Sequence, residues 1–356
     1  MNKKVFVGLS GGVDSSVSAL LLKQAGYDVT GVFIKAWHPD FLPCNWRAEM
    51  RDAMRVCAKL EILFLMCDLE KEYKKEVIDY LIAEYAAGHT PNPDILCNKQ
   101  IKFGGFLKFA TERGADYVAT GHYAQRKDID GAPVLCNSID TEKDQTYFLW
   151  TLPSEKLARI LFPIGHLPKK QVRVLAEKHG LHTSAKKDSQ GLCFIGHVDI
   201  KTFLRRYIQT ASGDVLDEKG NKIGTHDGAE LYTIGERHGF TISNGTAHSG
   251  AHYIISKDLK ANTITVTTDK SAYSTVTQIF IEQVNFTRVL PAVDQLISAR
   301  IRYRGELHVG TIATTQQTGL YVYTLQKPIE APSNGQSLVM YHNGECVGGG
   351  VIQKSL

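Results

Sequence analysis

The chain has 356 residues, of which 43% are apolar and 22% are charged, and 41 basic against 37 acidic side chains leave a net charge of +4. This composition is ordinary for a globular protein and argues against a disordered or fibrous chain. At roughly 100–200 residues per domain the length predicts two or three domains, and so small a charge excess neither requires nor excludes a nucleic-acid partner.

The first third of the chain alternates short apolar runs with segments of helical periodicity. The runs predict strands at residues 4–9, 29–34, 63–67 and 117–120, and the periodic segments predict helices at residues 15–24, 49–60 and 70–87. Strands and helices that alternate at this spacing predict a doubly wound parallel sheet of the α/β class. Such a sheet binds its ligands at the carboxyl ends of its strands.

Beyond residue 205 the pattern changes to apolar residues at alternate positions, separated by glycine and asparagine turns. It predicts strands at residues 253–256, 263–267, 279–286, 299–304, 320–325 and 338–341. Short strands of this kind are typical of small antiparallel barrels or sandwiches. We expect an α/β domain over residues 1–200, a small middle domain over residues 201–270 and a C-terminal antiparallel β-barrel over residues 271–356.

The sequence disfavours membrane insertion, export and a disulfide framework. No apolar run reaches the ~18 residues of a membrane span, and the run at residues 5–9 is too short for a signal peptide. We therefore expect a cytoplasmic protein without a membrane partner. The seven cysteines are scattered and none has C-x-x-C spacing, which removes the simplest zinc and iron–sulfur sites. Five are interpreted as packing or surface residues: Cys44, Cys57, Cys67, Cys136 and Cys346.

The strongest functional pattern is the sequence GLSGGVDSS at residues 8–16, between the first predicted strand and helix. Glycines let backbone N–H groups converge on one point, and the helix N-terminus adds positive charge, so the loop predicts an anion cradle. Ser10 and Ser15 add hydroxyl donors, and Asp14 either holds a magnesium ion or orients the loop. The lysine of a Walker A loop is missing. The alternative is a glycine-rich turn capped by serine.

A second pattern is TPNPDILCNK at residues 90–99. Its two prolines break the preceding helix and stiffen the segment that presents Cys97. Lys99 is expected to favour the thiolate of Cys97, as a nucleophile requires, and Asp94 is placed to move protons. The alternative for Cys97 is a buried small apolar residue.

A third pattern, DSQGLCFIG at residues 188–196, puts glycines on both sides of Cys193 and predicts a chain that can bend there. The distance along the chain does not tell whether Cys97 and Cys193 meet in space.

Basic and histidine residues carry weaker indications. Arg300, Arg302 and Arg304 alternate on a predicted strand, so all three would share one face and could contact RNA phosphates; the alternative is a solvated edge strand. The basic pairs at residues 169–170, 186–187 and 205–206 could extend this basic surface, but short pairs of this kind are interpreted as solvated surface. His122 is either a substrate contact or a structural hydrogen-bonding residue. The histidine spacing matches no metal-binding motif, and no metal site is predicted from it.

The glycine loop resembles the pyrophosphate-binding loop of the ATP pyrophosphatase superfamily, which implies that ATP is cleaved to AMP and pyrophosphate. TPNPDILCN, ATGHYA at residues 119–124, KDQTYF at residues 143–148 and GLCFIG at residues 191–196 follow in this order. Together they resemble the bacterial tRNA-specific 2-thiouridylase family over nearly the whole chain. The resemblance implies an adenine nucleotide alpha hydrolase-like N-terminal domain and thiolation of the wobble uridine of tRNA. ATP with Mg²⁺ would activate the C2 oxygen, and a sulfur-relay protein would supply the sulfur.

The same resemblance implies roles for individual residues. Cys97 would be the nucleophile, Cys193 the persulfide carrier and Asp94 the acid/base group, with a Cys97–Cys193 disulfide left after transfer. ATP would contact Gly8, Leu9, Ser10, Gly11, Gly12, Val13, Asp14, Ser15, Ile34 and Gly121. The target base would lie against Asn92, Pro93 and Asp94, and tRNA would contact His122, Lys143, Asp144, Gln145, Arg302, Tyr303 and Gln336.

Two other function classes stay open. A small-molecule adenylating ligase or amidotransferase built on the same loop would release AMP without RNA and would not need Cys97. A tRNA-binding protein without catalysis would fail to bind ATP, and the intact loop and both cysteines argue against it.

Overall fold

The computed structural model of the chain describes residues 2–42, 46–187, 191, 193–196, 198–243, 250–269, 274–287, 291–292 and 294–356. Among these residues the strands are, in chain order, β1 (Lys4–Gly8), β2 (Asp28–Lys35), β3 (Leu63–Asp68), β4 (Tyr117–Ala119), β5 (Ala124–Ile129), β6 (Ala132–Asn137), β7 (Ile160–Leu161), β8 (Gly213–Leu216), β9 (Lys222–His226), β10 (Thr241–Ile242), β11 (Tyr253–Asp258), β12 (Thr263–Thr267), β13 (Thr275–Phe286), β14 (Ile297–Arg300), β15 (His308–Thr314), β16 (Tyr321–Glu330), β17 (Ser337–His342) and β18 (Glu345–Ser355).

The helices of the same residues lie mainly in the first two thirds of the chain. They are α1 (Val13–Gln24), α2 (Trp46–Leu60), α3 (Glu70–Tyr73), α4 (Tyr80–Ala86), α5 (Pro93–Leu96), α6 (Phe106–Glu112), α7 (Ser154–Leu157), α8 (Lys169–Lys178) and α9 (Ile200–Leu204). Two π-helical segments, Lys74–Asp79 and Cys97–Gly105, join α3 to α4 and α5 to α6, and 3₁₀ turns lie at Thr146–Phe148 and Ala229–Leu231.

The N-terminal sheet is parallel and has the strand order β3-β2-β1-β4-β7. Val5 of β1 pairs with Val29 on one side and with Tyr117 on the other. Because the chain moves outward through β2 and β3 and then returns to the other side of β1, the crevice between β1 and β4 is the switch point where such sheets bind ligands. The α/β architecture predicted for this part is confirmed.

Side chains of β1 alternate between two hydrophobic clusters, one on each face of this sheet. Val5 and Val7 lie in the cluster under α1, α2 and α8, whereas Phe6 lies in the cluster shared with the helices after β3. A strand covered on both faces explains why its sequence is apolar throughout rather than alternating.

The second sheet has the order β10-β9-β8-β12-β11 and forms the middle of the chain. Its pairs are antiparallel except for β8 and β12, which run parallel. Buried residues of this sheet, such as Val215 and Ile264, belong to the same hydrophobic cluster as the helices of the N-terminal sheet. The middle sheet therefore packs directly against the N-terminal part of the chain.

The C-terminal strands close into a barrel. The order β13-β16-β15-β14-β17-β18 returns to β13 through the pairing of β13 with β18, so six antiparallel strands surround a separate apolar core. This confirms the predicted barrel and excludes the sandwich. The hairpin of β5 and β6 extends the same sheet, because Glu345 pairs with Cys136.

The strand predicted at residues 299–304 is wrong in its second half. β14 ends at Arg300, and a turn follows in which the N–H of Gly305 donates to the carbonyl of Arg302 and Arg304 has a φ of 59°. The three arginines therefore do not share a strand face. Arg300 is partly buried over the ring of Tyr341, while Arg302 and Arg304 are exposed.

Across the described ranges we find no helix with the length and apolar character needed to cross a membrane.

Candidate active site

The predicted anion cradle lies where β1 passes into α1, at the carboxyl edge of the parallel sheet. Only glycine fits at two positions there, because neighbouring backbone atoms leave no room for a Cβ. Gly11 has a φ of +71°, and a Cβ on it would lie 2.5 Å from the carbonyl oxygen of Glu49. A Cβ on Gly121, at the end of β4, would lie 2.6 Å from the backbone nitrogen of Ser15. The loop and the end of β4 thus approach as closely as backbone allows, at the sheet's switch point.

Serine hydroxyls hold the loop from within. The hydroxyl of Ser15 accepts from the N–H of Ser10 at 3.2 Å and donates to the carbonyl of Gly12 at 3.2 Å, and the two serine hydroxyls lie 3.2 Å apart. Gly12 precedes α1 and has no side chain with which to cap it. The first N–H groups of the helix are therefore not occupied by a side-chain cap, as an anion site needs.

Asp14 orients the loop through two partners from distant parts of the chain. Its carboxylate accepts from the hydroxyl of Tyr123 at 2.8 Å and from Nζ of Lys169 at 2.7 and 2.8 Å. On the other side, Nζ of Lys186 donates to the carbonyl of Gly11 at 3.0 Å. The interpretation of residues 169 and 186 as solvated surface is therefore wrong, since Lys169 is buried and both hold the cradle.

Cys97 and Cys193 meet beside this edge, with their sulfur atoms 3.2 Å apart although 96 residues separate them in the chain. Both are free thiols. Cys97 is 0% exposed, whereas Cys193 is partly exposed. Asp94 joins the pair, because its Oδ1 accepts from the N–H of Cys193 at 3.3 Å. Four residues of the third sequence pattern lie outside the described residues: Asp188, Ser189, Gln190 and Leu192.

A short helix presents Cys97 rather than a loop. Asn92 caps α5, its side-chain oxygen accepting from the N–H groups of Asp94 and Ile95, and Pro93 takes the first helical position, where no N–H is needed. The chain then continues directly from α5 into the π-helical segment Cys97–Gly105. Such segments are rare and frequent at functional sites.

The cation beside the two sulfurs is Lys102, not Lys99. Lys99 is exposed, whereas the ammonium group of Lys102 faces Cys193, Cys97 and Asp94. Five residues along an α-helix would turn about 140° away. In a π-helical stretch the hydrogen bond joins residues five apart and brings residue 102 back over residue 97.

The two thiols differ in acidity because their surroundings differ. Burial raises the pKa of Cys97, and the adjacent Cys193 raises it further. The pKa of Cys193 is lowered, because the S–H of Cys97 donates to its sulfur and Lys102 faces it. Burial also raises the pKa of Asp94, against the opposing effect of Lys102. The expectation that a nearby lysine favours the thiolate of Cys97 is therefore wrong, and Cys193 is the more acidic of the two thiols.

His122 lies behind Lys102 and is 7% exposed. Its Nδ1 is 2.7 Å from the hydroxyl of Thr120 and its Nε2 is 3.4 Å from Nζ of Lys102. Burial, together with Lys102, holds the pKa of His122 well below its usual range. The imidazole is therefore neutral, and it packs against the ring of Phe103.

Segments from all three parts of the chain meet at Thr90, shortly before α5, which carries Asp94 and leads directly into Cys97. Its N–H donates to the carbonyl of Asn334, and its own carbonyl accepts from the side chain of Gln336 at 2.6 Å. Its hydroxyl lies 3.1 Å from that of Thr233. The barrel and the middle sheet therefore both hold the segment that positions the sulfur site.

Other residues implied for tRNA contact differ in how their side chains are used. The carboxylate of Asp144 is buried and accepts from the N–H groups of Ser138 and Thr146. Gln145 accepts from the N–H of Tyr123, and Tyr303 packs on Phe148 with ring centres 4.4 Å apart. The remaining two side chains are more accessible to solvent: Lys143 is partly exposed and Arg302 is exposed.

Among the other cysteines, Cys57, Cys67, Cys136 and Cys346 are buried, and Cys44 lies outside the described residues. Within the described part of the chain, no three His, Cys, Asp or Glu side chains are grouped to hold a metal ion.

Three family descriptions match successive parts of the chain. They are the tRNA methyl transferase HUP domain over residues 3–197, the tRNA methyl transferase PRC-barrel domain over residues 201–268 and the Aminomethyltransferase beta-barrel domain over residues 276–352. A tRNA-specific 2-thiouridylase MnmA from Francisella tularensis subsp. holarctica is 43% identical over 357 residues, which cover 99% of each chain. The chain belongs to the tRNA-specific 2-thiouridylase family. A second relative of that name, from Streptococcus sanguinis, is 42% identical and covers 99% of this chain and 95% of its own.

Solved structures similar to this 2-thiouridylase family member match it over about half its length. The U34-tRNA thiolase NcsA from Methanococcus maripaludis is 20% identical with a TM-score of 0.35, covering 51% of this chain and 57% of its own. A 4-thiouridine synthetase in complex with RNA and bound ATP is 20% identical with a TM-score of 0.35, covering 57% and 50%.

Sequence reasoning missed three lysines in this 2-thiouridylase family member: Lys102, Lys169 and Lys186. Lys102 has a local signal, since it follows Cys97 by five residues, but that signal indicates proximity only if the segment is π-helical. Lys169 and Lys186 have none, because they reach the cradle from far along the chain.

Proposed function

We propose that this chain is an ATP-dependent tRNA sulfurtransferase that replaces the C2 oxygen of the wobble uridine by sulfur. As a member of the tRNA-specific 2-thiouridylase family the chain is a tRNA sulfurtransferase, and its relatives carry that activity in their names. The observation that most supports the finer reaction is the 3.2 Å approach of Cys97 and Cys193 next to an anion cradle. Two thiols at this distance can hand sulfur on and then join in a disulfide.

Activation of the uridine is assigned to the cradle. Oxide is a poor leaving group from C2, whereas AMP is a good one, so adenylation of the C2 oxygen with release of pyrophosphate makes substitution possible. The residues of the cradle fit ATP, because no side chain fits at Gly11 or Gly121 and the start of α1 has no side-chain cap that would compete with a phosphate. We assign the ATP contacts to residues 8–15, Ile34 and Gly121. Magnesium would arrive with the phosphates, since Asp14 is paired with Lys169.

Cys193 is the better carrier of the persulfide because it is the accessible thiol. A donor protein must reach the sulfur it loads, and Cys193 is partly exposed while Cys97 is fully buried. Cys193 is also the thiol with the lowered pKa, and it is the thiolate that accepts sulfur. We therefore propose that a protein of a sulfur relay loads Cys193.

Sulfur transfer then takes two substitutions. The terminal persulfide sulfur bonds to C2, and the C2–O bond breaks with its electron pair leaving on AMP. Cys97 next attacks Sγ of Cys193, and the bond from Sγ to the transferred sulfur breaks with its pair on that sulfur. The base takes a proton at N3 and leaves as 2-thiouridine, and a Cys97–Cys193 disulfide remains. An external dithiol must reduce this disulfide before the next turnover.

Asp94 is the proposed base for the second substitution. Cys97 must lose its proton to attack, and burial raises its pKa. Asp94 stands beside the pair, and burial raises its own pKa toward the range where it can both take and return a proton. Its contact with the N–H of Cys193 keeps the carboxylate in position.

The tRNA would lie across the N-terminal sheet and the barrel. We propose that the flipped base rests against Asn92, Pro93 and Asp94, and that the exposed Arg302 contacts phosphate. The buried side chains of the set act by positioning other groups. Gln336, for example, donates a hydrogen bond to the carbonyl of Thr90. The full proposed set beyond the base pocket is His122, Lys143, Asp144, Gln145, Arg302, Tyr303 and Gln336.

A single-turnover assay tests this function. The protein is loaded with persulfide at Cys193, freed of reductant, and mixed with ATP, Mg²⁺ and unmodified tRNA. We expect up to one 2-thiouridine per enzyme by nucleoside mass spectrometry, and a Cys97–Cys193 disulfide by peptide mass spectrometry under non-reducing conditions. Cys193→Ser is expected to make no product. Cys97→Ser is expected to leave the base bound to the enzyme through a disulfide.

Cys346→Ser is the matched control, because Cys346 is also buried but lies in β18. Free 2-thiouridine from either active-site variant at the wild-type yield would refute the two-cysteine scheme. AMP formation without RNA, unaffected in Cys97→Ser, would favour a small-molecule ligase instead.

A further inference from the structure

We infer that Lys102 is a further catalytic residue, whose ammonium group holds the sulfur anion of Cys193, and that His122 positions Lys102. This inference rests on the proposed function for its role in turnover, but its main observation is the arrangement of the side chains. The ammonium faces Cys193, Cys97 and Asp94 on one side and lies 3.4 Å from Nε2 of His122 on the other.

The balance of charge at this site favours a protonated lysine. Burial works to lower the pKa of Lys102, but the facing Cys193, Cys97 and Asp94 outweigh it and raise the pKa. A buried ammonium needs partners for its N–H groups. Because an ammonium can only donate, Nε2 of the neutral His122 accepts one, while its Nδ1 lies against the hydroxyl of Thr120.

The charged and titratable groups that face Cys193 come from three neighbouring elements. Lys102 is the only cation of the set, and the hydroxyl of Tyr73 donates to the backbone carbonyl of Cys193 rather than to its sulfur. The set among the described residues consists of Tyr73 from α3, Asp94 from α5, and Cys97 and Lys102 from the π-helical segment.

Each step of the transfer places negative charge near this ammonium. The persulfide of Cys193 is an anion before it attacks, and the sulfur leaves Cys193 with its bonding electron pair after Cys97 attacks. A cation that faces this sulfur stabilises both anions, whereas the carboxylate of Asp94 alone would oppose them. Lys102 therefore offsets the negative charge of Asp94, the carboxylate that proton transfer requires.

The test measures the acidity of Cys193 directly, without ATP or tRNA. Iodoacetamide labelling is followed against pH, and the peptide that contains Cys193 is quantified by mass spectrometry, in protein that retains Cys97. We expect the inflection of the labelling rate to move up by about 1–3 pH units in Lys102→Met and Lys102→Gln, and to stay near the wild-type value in Lys102→Arg. The inflection is used because intrinsic reactivity of a thiolate changes with its pKa.

Two variants test the positioning by His122. Glutamine can present an oxygen acceptor near the position of Nε2, so His122→Gln is expected to keep the wild-type inflection. His122→Phe removes the acceptor and is expected to raise the inflection. An unchanged inflection in His122→Phe would overturn the positioning role.

An unchanged inflection in both Lys102→Met and Lys102→Gln would overturn the role of Lys102. Lys102→Gln retains a polar side chain and serves if the methionine variant fails to fold. The single-turnover yield of 2-thiouridine completes the test, and we expect it to fall at least tenfold in Lys102→Met at pH 7. If the wild-type protein made no 2-thiouridine, the proposed function would fail, while the labelling result would still decide the role of Lys102.

Discussion

Replacing Gly121 by alanine should disrupt the nucleotide site by pushing two backbones apart. The added Cβ would lie 2.6 Å from the backbone nitrogen of Ser15, and ordinary contact begins at 3.4 Å, so the end of β4 and the start of α1 must separate by about 3.4 − 2.6 = 0.8 Å. No flexible side chain can absorb this, since the neighbouring atoms belong to the backbone of Asp14 and Ser15 or lie next to it.

The expected magnitude follows from this geometry. Overpacking of this kind costs about 1–3 kcal/mol of unfolding free energy, which corresponds to a melting temperature lower by about 2–12 °C for a domain of this size. ATP affinity should fall further, because loss of one charge-assisted hydrogen bond from the cradle costs about 1.5–3 kcal/mol, or about 10- to 150-fold in Kd.

Thermal unfolding and calorimetric titration with ATP measure the two effects separately. Gly250→Ala is the matched control, because Gly250 has no neighbour among the described residues within 4 Å of an added Cβ and does not adopt a left-handed φ. We expect it to match the wild type in both assays. If Gly121→Ala also matched the wild type in both, the close approach of β4 to the cradle would be refuted.

Three further predictions concern single side chains. Asn92→Ala removes the cap of α5 and should cost about 0.5–2 kcal/mol in denaturant unfolding, whereas Asn92→Asp should retain it; equal losses in both would contradict the capping role. Lys169→Met should cost about 1.5–3 kcal/mol and weaken ATP binding, because Asp14 loses its ion pair, and the exposed Lys170 mutated to Met should do neither. Burial raises the pKa of Cys57 to about 11, so iodoacetamide at pH 8 should label Cys193 first, and comparable labelling of both peptides would refute this order.

The nucleotide loop was predictable from the sequence because its determinants are local. A strand, a run of glycines and serines and a helix follow one another within 20 residues, and glycine spacing dictates the backbone directly. The same holds for the cap at Asn92, where a side chain bonds N–H groups two and three residues away. The barrel was predictable as a class, since alternating strands require antiparallel partners, but its closure through β13 and β18 was not.

The prediction that three arginines share one strand face failed because its determinants are not local. Alternation at residues 300, 302 and 304 matches a strand, but whether a strand continues depends on the partners it finds. β14 pairs with β15 and β17 only as far as Arg300, and beyond it the chain turns. Period-two spacing describes side-chain directions only where the ladder of backbone hydrogen bonds persists.

By itself the sequence determined the α/β order of the first domain, the anion-binding loop and the two cysteines that can take part in chemistry. Tertiary structure decided that Cys97 and Cys193 lie 3.2 Å apart, that Cys193 is the more acidic thiol, and that Lys102 rather than Lys99 is the nearby cation. The physical reason is that distances between remote residues, and the pKa values that depend on them, follow from packing and burial. Neither these distances nor these pKa values can be inferred from the spacing of residues along one segment.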